Sequence, residues 1–221
     1  MRLLNTILDI VLPAKCISCG KTGTDLCIQC LSDSPVAERE TDKWIFPLYD
    51  YRHPPIKKAL WLFKYKGKKR LANIFAEIMY DKILEELSEL SIMENFRDAI
   101  LIPIPLTFSR YRERGYNQAE LICKELIKLD KSHRGVNIQM EKNILIKPKE
   151  TEHQAQIHNR SDRLKNIVGS FAIKSGCENL IIGRNIILID DITTTSATLN
   201  EARKVLKKAG VRKVIAFTVA H

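Results

Sequence analysis

Asp190 and Asp191 stand side by side, preceded by the apolar run Ile186, Ile187, Leu188 and Ile189 and followed by Thr193, Thr194, Thr195, Ser196, Ala197 and Thr198. Carboxylates at the end of a buried strand can accept hydrogen bonds from sugar hydroxyls or hold water around Mg²⁺. The hydroxyl-rich run leads into a helix expected over residues 199–209 and closed by Gly210. A helix N-terminus offers free backbone N–H groups and partial positive charge, which suit a phosphate monoester, and Thr and Ser hydroxyls add donors. Adjacent aspartates alone would be an ordinary strand-end cap. With the apolar run before and the hydroxyl loop after, they read as a ligand site, its phosphate wrapped by residues 194–198.

A second cluster lies near the front. Cys16-Ile-Ser-Cys19 and Cys27-Ile-Gln-Cys30 are two Cys-x-x-Cys pairs. Four thiolates so spaced can converge on a tetrahedron, the geometry Zn²⁺ prefers, and four filled positions describe a structural rather than a catalytic ion. Gly20 and Gly23 suit the tight turns required. Two disulfides are the competing reading, disfavoured in a reducing cytoplasm. Cys123 and Cys177 are isolated and read as ordinary semi-buried side chains.

Cations gather in two places. Between Ile56 and Arg70 stand Lys57, Lys58, Lys64, Lys66, Lys68, Lys69 and Arg70, with no acid and with Leu60, Leu62, Phe63 and Tyr65 interleaved. Such mixing can track a nucleic-acid backbone and stack bases, or form the positive rim of a pocket for one phosphorylated ligand. It can also be a helix with solvated lysines. Arg110, Arg112 and Arg114 follow the apolar stretch ending in Pro103-Ile104-Pro105. Arginine forks match phosphate oxygens, and the carboxyl end of a parallel strand is where α/β folds bind ligands; a surface salt-bridge cluster is the plain alternative.

These residues need elements to hold them. Residues 99–105 and 185–189, apolar on both faces, read as central parallel strands covered by helices. Strands are also expected over residues 44–51 and 211–219, and helices over 71–90 and 117–129. Residues 151–171 are polar, basic and long, the character of a lid over a site, with a short helix capped by Ser161 as the other reading. At 45% hydrophobic and 28% charged, the 221 residues describe an ordinary protein with a real core. A net charge of +10 suits polyanions or small phosphorylated ligands, with a solvated basic surface as an equal alternative. Residues 1–12 are apolar but broken by Asp9, so neither a signal peptide nor a membrane span is expected, and a cytoplasmic protein is. The expected organisation is an N-terminal helix and knuckle (1–40) followed by an α/β domain (41–221).

Residues 187–198 resemble the phosphoribosyl pyrophosphate (PRPP) signature of type I phosphoribosyltransferases. The chain as a whole resembles the ComF family of competence-associated, phosphoribosyltransferase-like proteins. The matching pieces are the cysteine knuckle, Phe63-Lys64-Tyr65-Lys66-Gly67, Ile102-Pro103-Ile104-Pro105, Arg114-Gly115-Tyr116-Asn117-Gln118, Arg163-x-x-Asn166-x-x-Gly169-x-Phe171 and the acidic-pair loop. The resemblance implies a type I phosphoribosyltransferase-like fold in which Asp190 and Asp191 meet the ribose hydroxyls with Mg²⁺. It places the 5′-phosphate on residues 194–198 and the pyrophosphate near Pro103, Pro105, Arg112, Arg114, Lys64 and Lys66. Gln154, Arg163 and Asn166 would belong to the mobile loop. The family usually has glycine where this chain has Ser196, so a side chain there is expected either to narrow the approach of backbone to phosphate or to force a less comfortable φ. Three functions follow from the resemblance: a PRPP-using enzyme or a form derived from one, a non-catalytic protein binding single-stranded DNA or nucleotide in DNA uptake, and a purine or pyrimidine salvage transferase. DNA-uptake proteins would be partners in the second.

Overall fold

The computed structural model describes residues 13–38, 42–133, 135–148 and 167–221. The expected helix over residues 1–12 and the loop residues Gln154, Arg163 and Asn166 lie outside them.

Five strands form one parallel sheet, β1 (Ile45–Tyr49), β2 (Ile100–Pro103), β3 (Gln139–Met140), β6 (Asn185–Ile192) and β7 (Lys213–Ala220), in the order β1-β7-β6-β2-β3. A separate antiparallel pair joins β4 (Leu145–Ile146) to β5 (Ala172–Ile173). The helices are α1 (Ile28–Ser32), α2 (Pro54–Tyr65), α3 (Leu71–Glu94), α4 (Phe108–Arg114), α5 (Gln118–Ser132) and α6 (Ala197–Lys208). The mostly parallel sheet with flanking helices is the architecture expected.

Alternation along β6 explains its apolar run. Ile187 and Ile189 face one layer, packed with Phe217 of β7 and with Phe75, Ile122 and Leu126 from α3 and α5. Ile186 and Leu188 face the other, against Leu199, Ala202 and Leu206 of α6. Successive side chains point to opposite faces, so a strand covered on both sides must be apolar at every position.

Residues 13–38 dock on the first layer. Cys16, Leu26, Cys27 and Leu31 share a buried cluster with Ile56, Leu60 and Phe63 of α2. Lys68 Nζ lies 3.0 Å from Oδ1 of the buried Asp25, pinning the turn after α2 to the cysteine module. The basic segment is therefore two elements: α2, opened by Pro54 and Pro55, and a turn at Gly67, whose φ of +66° suits glycine. α3 runs to Glu94, past the expected end near residue 90, and stops where Asn95 turns left-handed.

The chain leaves β6 toward β7 and leaves β2 toward β3, on opposite sides of the shared β2–β6 pairing. Carboxyl ends at such a reversal open a crevice that neither helical connection covers.

Candidate functional site

Asp190 and Asp191 stand on the rim of that crevice. Asp191 is buried and Asp190 half-buried. Asp190 Oδ1 accepts the Asp191 N–H at 2.8 Å, and Lys64 Nζ of α2 lies 2.9 Å from Asp191 Oδ1. Burial, then the adjacent Asp191 charge, push the Asp190 carboxyl up to about 7, against the pull of Lys64. Two carboxylates under that strain gain from a cation or from hydroxyl donors.

The loop beyond them is held by the sheet and by α6. The Thr193 N–H donates to the Ala220 carbonyl at 3.0 Å, and the Ser196 carbonyl accepts the Asn200 N–H at 2.8 Å. Ser196 is the N-cap of α6 with φ +53° and ψ 0°, the left-handed angle at which glycine costs least. Thr194, Thr195, Ser196, Ala197 and Thr198 line a cavity of about 330 Å³ together with Asp190, Lys64, Tyr51 and Ile167. The first N–H groups of a helix have no intrahelical partner, so this cavity is edged by donors.

A smaller recess of about 90 Å³ adjoins it, sharing Lys64, Asp190, Ile192 and Thr198 and adding Pro105, Arg110, Arg114, Gln118, Lys147 and Asp191. The Arg114-Gly-Tyr-Asn-Gln118 motif builds its wall. Gly115 ends α4 at φ +73°. The Tyr116 hydroxyl donates to the Phe63 carbonyl at the end of α2. Asn117 accepts the Ala119 N–H at 3.0 Å, capping α5, and donates to the Ile104 carbonyl at 2.9 Å. Arg114 donates to Gln118 Oε1 at 3.0 Å, while Arg114 Nε and Gln118 Nε2 are buried with no hydrogen-bond partner. Burial, then Arg110 beside it, push the Lys147 ammonium down to about 8, with Asp190 pulling the other way. Burial and the neighbouring Arg114 likewise lower Arg110. Crowded cations and orphaned donors in a narrow recess are what an anionic ligand relieves.

The other expected residues fall differently. Pro103 is buried within β2. Arg112 is exposed, 5.7 Å from the Phe108 ring, and Lys66 is exposed, 5.3 Å from the Trp61 ring; neither lines the crevice. In α4, Arg110 and Arg114 are four residues apart and share a face, which turns Arg112 outward. The expected rim pairs Arg112 with Arg114 and leaves out Arg110, because the four-residue spacing selects Arg110 only when residues 108–114 form a helix. Gln118 was visible only as part of a motif, and Lys147 had no local signal. A larger cavity, about 870 Å³, lies elsewhere, around Leu84, Phe96, Arg97, Ala99 and Ile138 beside the amino end of β2. It holds neither the acidic pair nor the hydroxyl loop.

The four cysteine sulfurs, Cys16, Cys19, Cys27 and Cys30, all lie within 4.8 Å of one another. Cys27 Sγ is 3.7 Å from both Cys16 Sγ and Cys19 Sγ. Zn–S bonds of roughly 2.3 Å at tetrahedral angles give edges of about 3.8 Å, so the cluster fits a zinc ion. The cysteines are free thiols, not disulfides.

No family model matches the chain. Competence protein F of Haemophilus influenzae is 28% identical over 211 residues, 92% of this chain and 84% of that protein. Competence protein ComFC of Bacillus subtilis is 32% identical over 165 residues, 74% of this chain but 59% of that protein. DNA utilization protein YhgH of Escherichia coli K12 is 23% identical over 202 residues, 90% of this chain and 80% of that protein. Among solved structures, hypoxanthine phosphoribosyltransferases of Staphylococcus aureus and Trypanosoma cruzi each overlap 68% of the chain. They cover 62% and 64% of those chains, at 11% and 12% identity and TM-scores of 0.37 and 0.40.

Proposed function

We propose that this chain, a homologue of Competence protein F and ComFC over most of its length, binds a phosphoribosyl ligand of the PRPP type together with Mg²⁺ and serves DNA uptake or a related DNA-handling step in the cytoplasm. The observation that carries the reading is convergence in one crevice. A strained acidic pair, a hydroxyl loop at a helix N-terminus and buried orphan donors on Arg114 and Gln118 line two adjoining cavities. The 5′-phosphate sits on residues 194–198, and the ribose hydroxyls face Asp190 and Asp191. A pyrophosphate occupies the recess of Arg110, Arg114, Gln118 and Lys147.

Mg²⁺, held through water by Asp190 and Asp191, would supply charge neutralisation at the pyrophosphate. Zn²⁺ on Cys16, Cys19, Cys27 and Cys30 is structural, holding the module that docks on α2. Where the site turns over, carboxylates on the ribose side and cations on the leaving-group side stabilise the charge separation of pyrophosphate departure. Calorimetric titration with PRPP and Mg²⁺ tests the reading. Wild type binds with saturable heat, and the double variant Asp190→Ala, Asp191→Ala does not; equal heats for both proteins overturn it.

The exposed lysines of α2 and its following turn favour a second, compatible reading in which single-stranded DNA lies along Lys57, Lys58, Lys66 and Lys69. Lys64 and Lys68 are paired with Asp191 and Asp25. Reversing them would test stability rather than DNA binding, so charge reversal belongs at Lys57, Lys58 and Lys66. Loss of DNA affinity and a shallower salt dependence are expected; unchanged salt dependence removes the DNA reading.

A further inference from the structure

α2 carries two aromatic rings that its packing does not use. The helix buries Ile56, Ala59, Leu60 and Phe63. On the outward side Trp61 is 48% exposed and Tyr65 is 49% exposed. Four residues apart, they share one stripe of the helix, with ring centroids 6.3 Å apart and planes inclined by 48°. Lys57 and Lys58, both exposed, precede Trp61 on that stripe by four and three residues.

Cations attend both rings. Lys66 Nζ lies 5.3 Å from the Trp61 ring centre and the Arg114 guanidinium 5.5 Å from that of Tyr65. Arg114 also lines the recess that holds Asp190 and Asp191, where its Nε is buried without a partner. The aromatic stripe and the anion recess are thus joined through one side chain. A helix that needed only a solvated face would carry lysines without the rings. Rings bordered by lysines and arginine offer what a flexible polyanion with flat side groups requires, a stacking surface flanked by charge.

We infer that Trp61 and Tyr65 form a stacking ledge for nucleobases of a single-stranded nucleic acid, whose backbone is borne by Lys57, Lys58 and Lys66 and passes Arg114 toward the acidic-pair crevice. The inference rests on the reading that lays single-stranded DNA along α2 and extends it. Stacking of this kind tolerates any base, so affinity follows strand length and salt more than sequence.

Intrinsic fluorescence tests it. The chain has two tryptophans, and Trp44 is buried, so the variant Trp44→Phe leaves Trp61 as the reporter. Titration with an oligothymidine of roughly a dozen nucleotides at low salt quenches that signal, whereas duplex of the same length quenches far less. Trp61→Ala and Tyr65→Ala each weaken oligonucleotide binding by about tenfold, the loss of one stacked base. Trp61→Phe and Tyr65→Phe retain most of the affinity. Both side chains are half-exposed, so the variants keep their melting temperature and their calorimetric titration with PRPP and Mg²⁺. Oligonucleotide binding without quenching, or affinity unchanged in the alanine variants, overturns the ledge, and so does capture of a protein partner through these rings with no oligonucleotide bound. Binding of PRPP with no oligonucleotide binding removes the ledge and leaves the phosphoribosyl reading standing. Quenching without PRPP binding does the reverse.

Discussion

Ser196 is where the chemistry of the site and the strain of the backbone meet. At φ +53° it holds an angle that costs an L-residue with a Cβ roughly 1–2 kcal/mol relative to the right-handed region. Ser196→Gly is expected to raise stability in urea denaturation by up to about 1 kcal/mol, part of the relief being offset by the freer unfolded chain. It should leave phosphate binding intact or tighter. A destabilised glycine variant would contradict the strain.

The titrations make a second prediction at this scale. On the proposed reading, Asp190, raised to about 7, is increasingly protonated below that pH and would lose its hold on Mg²⁺. Lys147, lowered to about 8, sheds its charge above that pH and would release the proposed pyrophosphate. Affinity for PRPP with Mg²⁺, measured by calorimetry across pH, should therefore peak between about 7 and 8 and fall on both sides. The same shift has a stability sign. A carboxyl raised in the folded state opposes folding as pH climbs from its ordinary value of 3.8 towards 7. Asp190→Asn should melt higher than wild type at neutral pH, and the advantage should vanish near pH 4.

At the scale of elements, the crevice depends on ties between segments far apart in the chain. The Tyr116 hydroxyl joins the loop before α5 to the carbonyl end of α2, and Lys64 on α2 neutralises Asp191. Tyr116→Phe should cost about 1–2 kcal/mol in urea denaturation, the price of an unsatisfied buried carbonyl. Lys64→Ala should cost about 3 kcal/mol, because it leaves a buried carboxylate without its partner. Much of this was legible beforehand. The apolar runs marked β2 and β6, because strand positions packed under helices on both sides favour apolar side chains. The acidic pair and hydroxyl loop marked the strand-to-helix turn. Less legible was which arginine faces inward, since that needed α4 to be recognised as a helix with Arg110 and Arg114 on one face. Lys147 was invisible because its neighbours in the recess come from α4 and β6, far away in sequence. Lys64 looked like a free basic side chain for the same reason. Its carboxylate partner lies more than a hundred residues later.

At the scale of the whole molecule, the cysteine module is a buttress. Its Cys16, Leu26, Cys27 and Leu31 complete the cluster that seats α2, the helix bearing Lys64 and the aromatic ledge. Removal of zinc by a chelator should lower the melting temperature and weaken PRPP binding together, since metal-binding energy in such modules is folding energy. A melting temperature unmoved by chelation would mean the thiols hold no structural ion. The order of strands could not be read from the chain alone. Apolar runs announce buried strands, but the reversal between β6 and β2 that opens the crevice is set by which helix crosses which face.

The central claim is that the crevice at this reversal seats a phosphoribosyl group. A crystal structure of the protein soaked with PRPP and Mg²⁺ tests it most directly. The account predicts the 5′-phosphate against the backbone of residues 194–198, the ribose hydroxyls on Asp190 and Asp191, and the pyrophosphate among Arg110, Arg114 and Lys147. A ligand seated elsewhere, or a crevice still empty at saturating concentration, would contradict it.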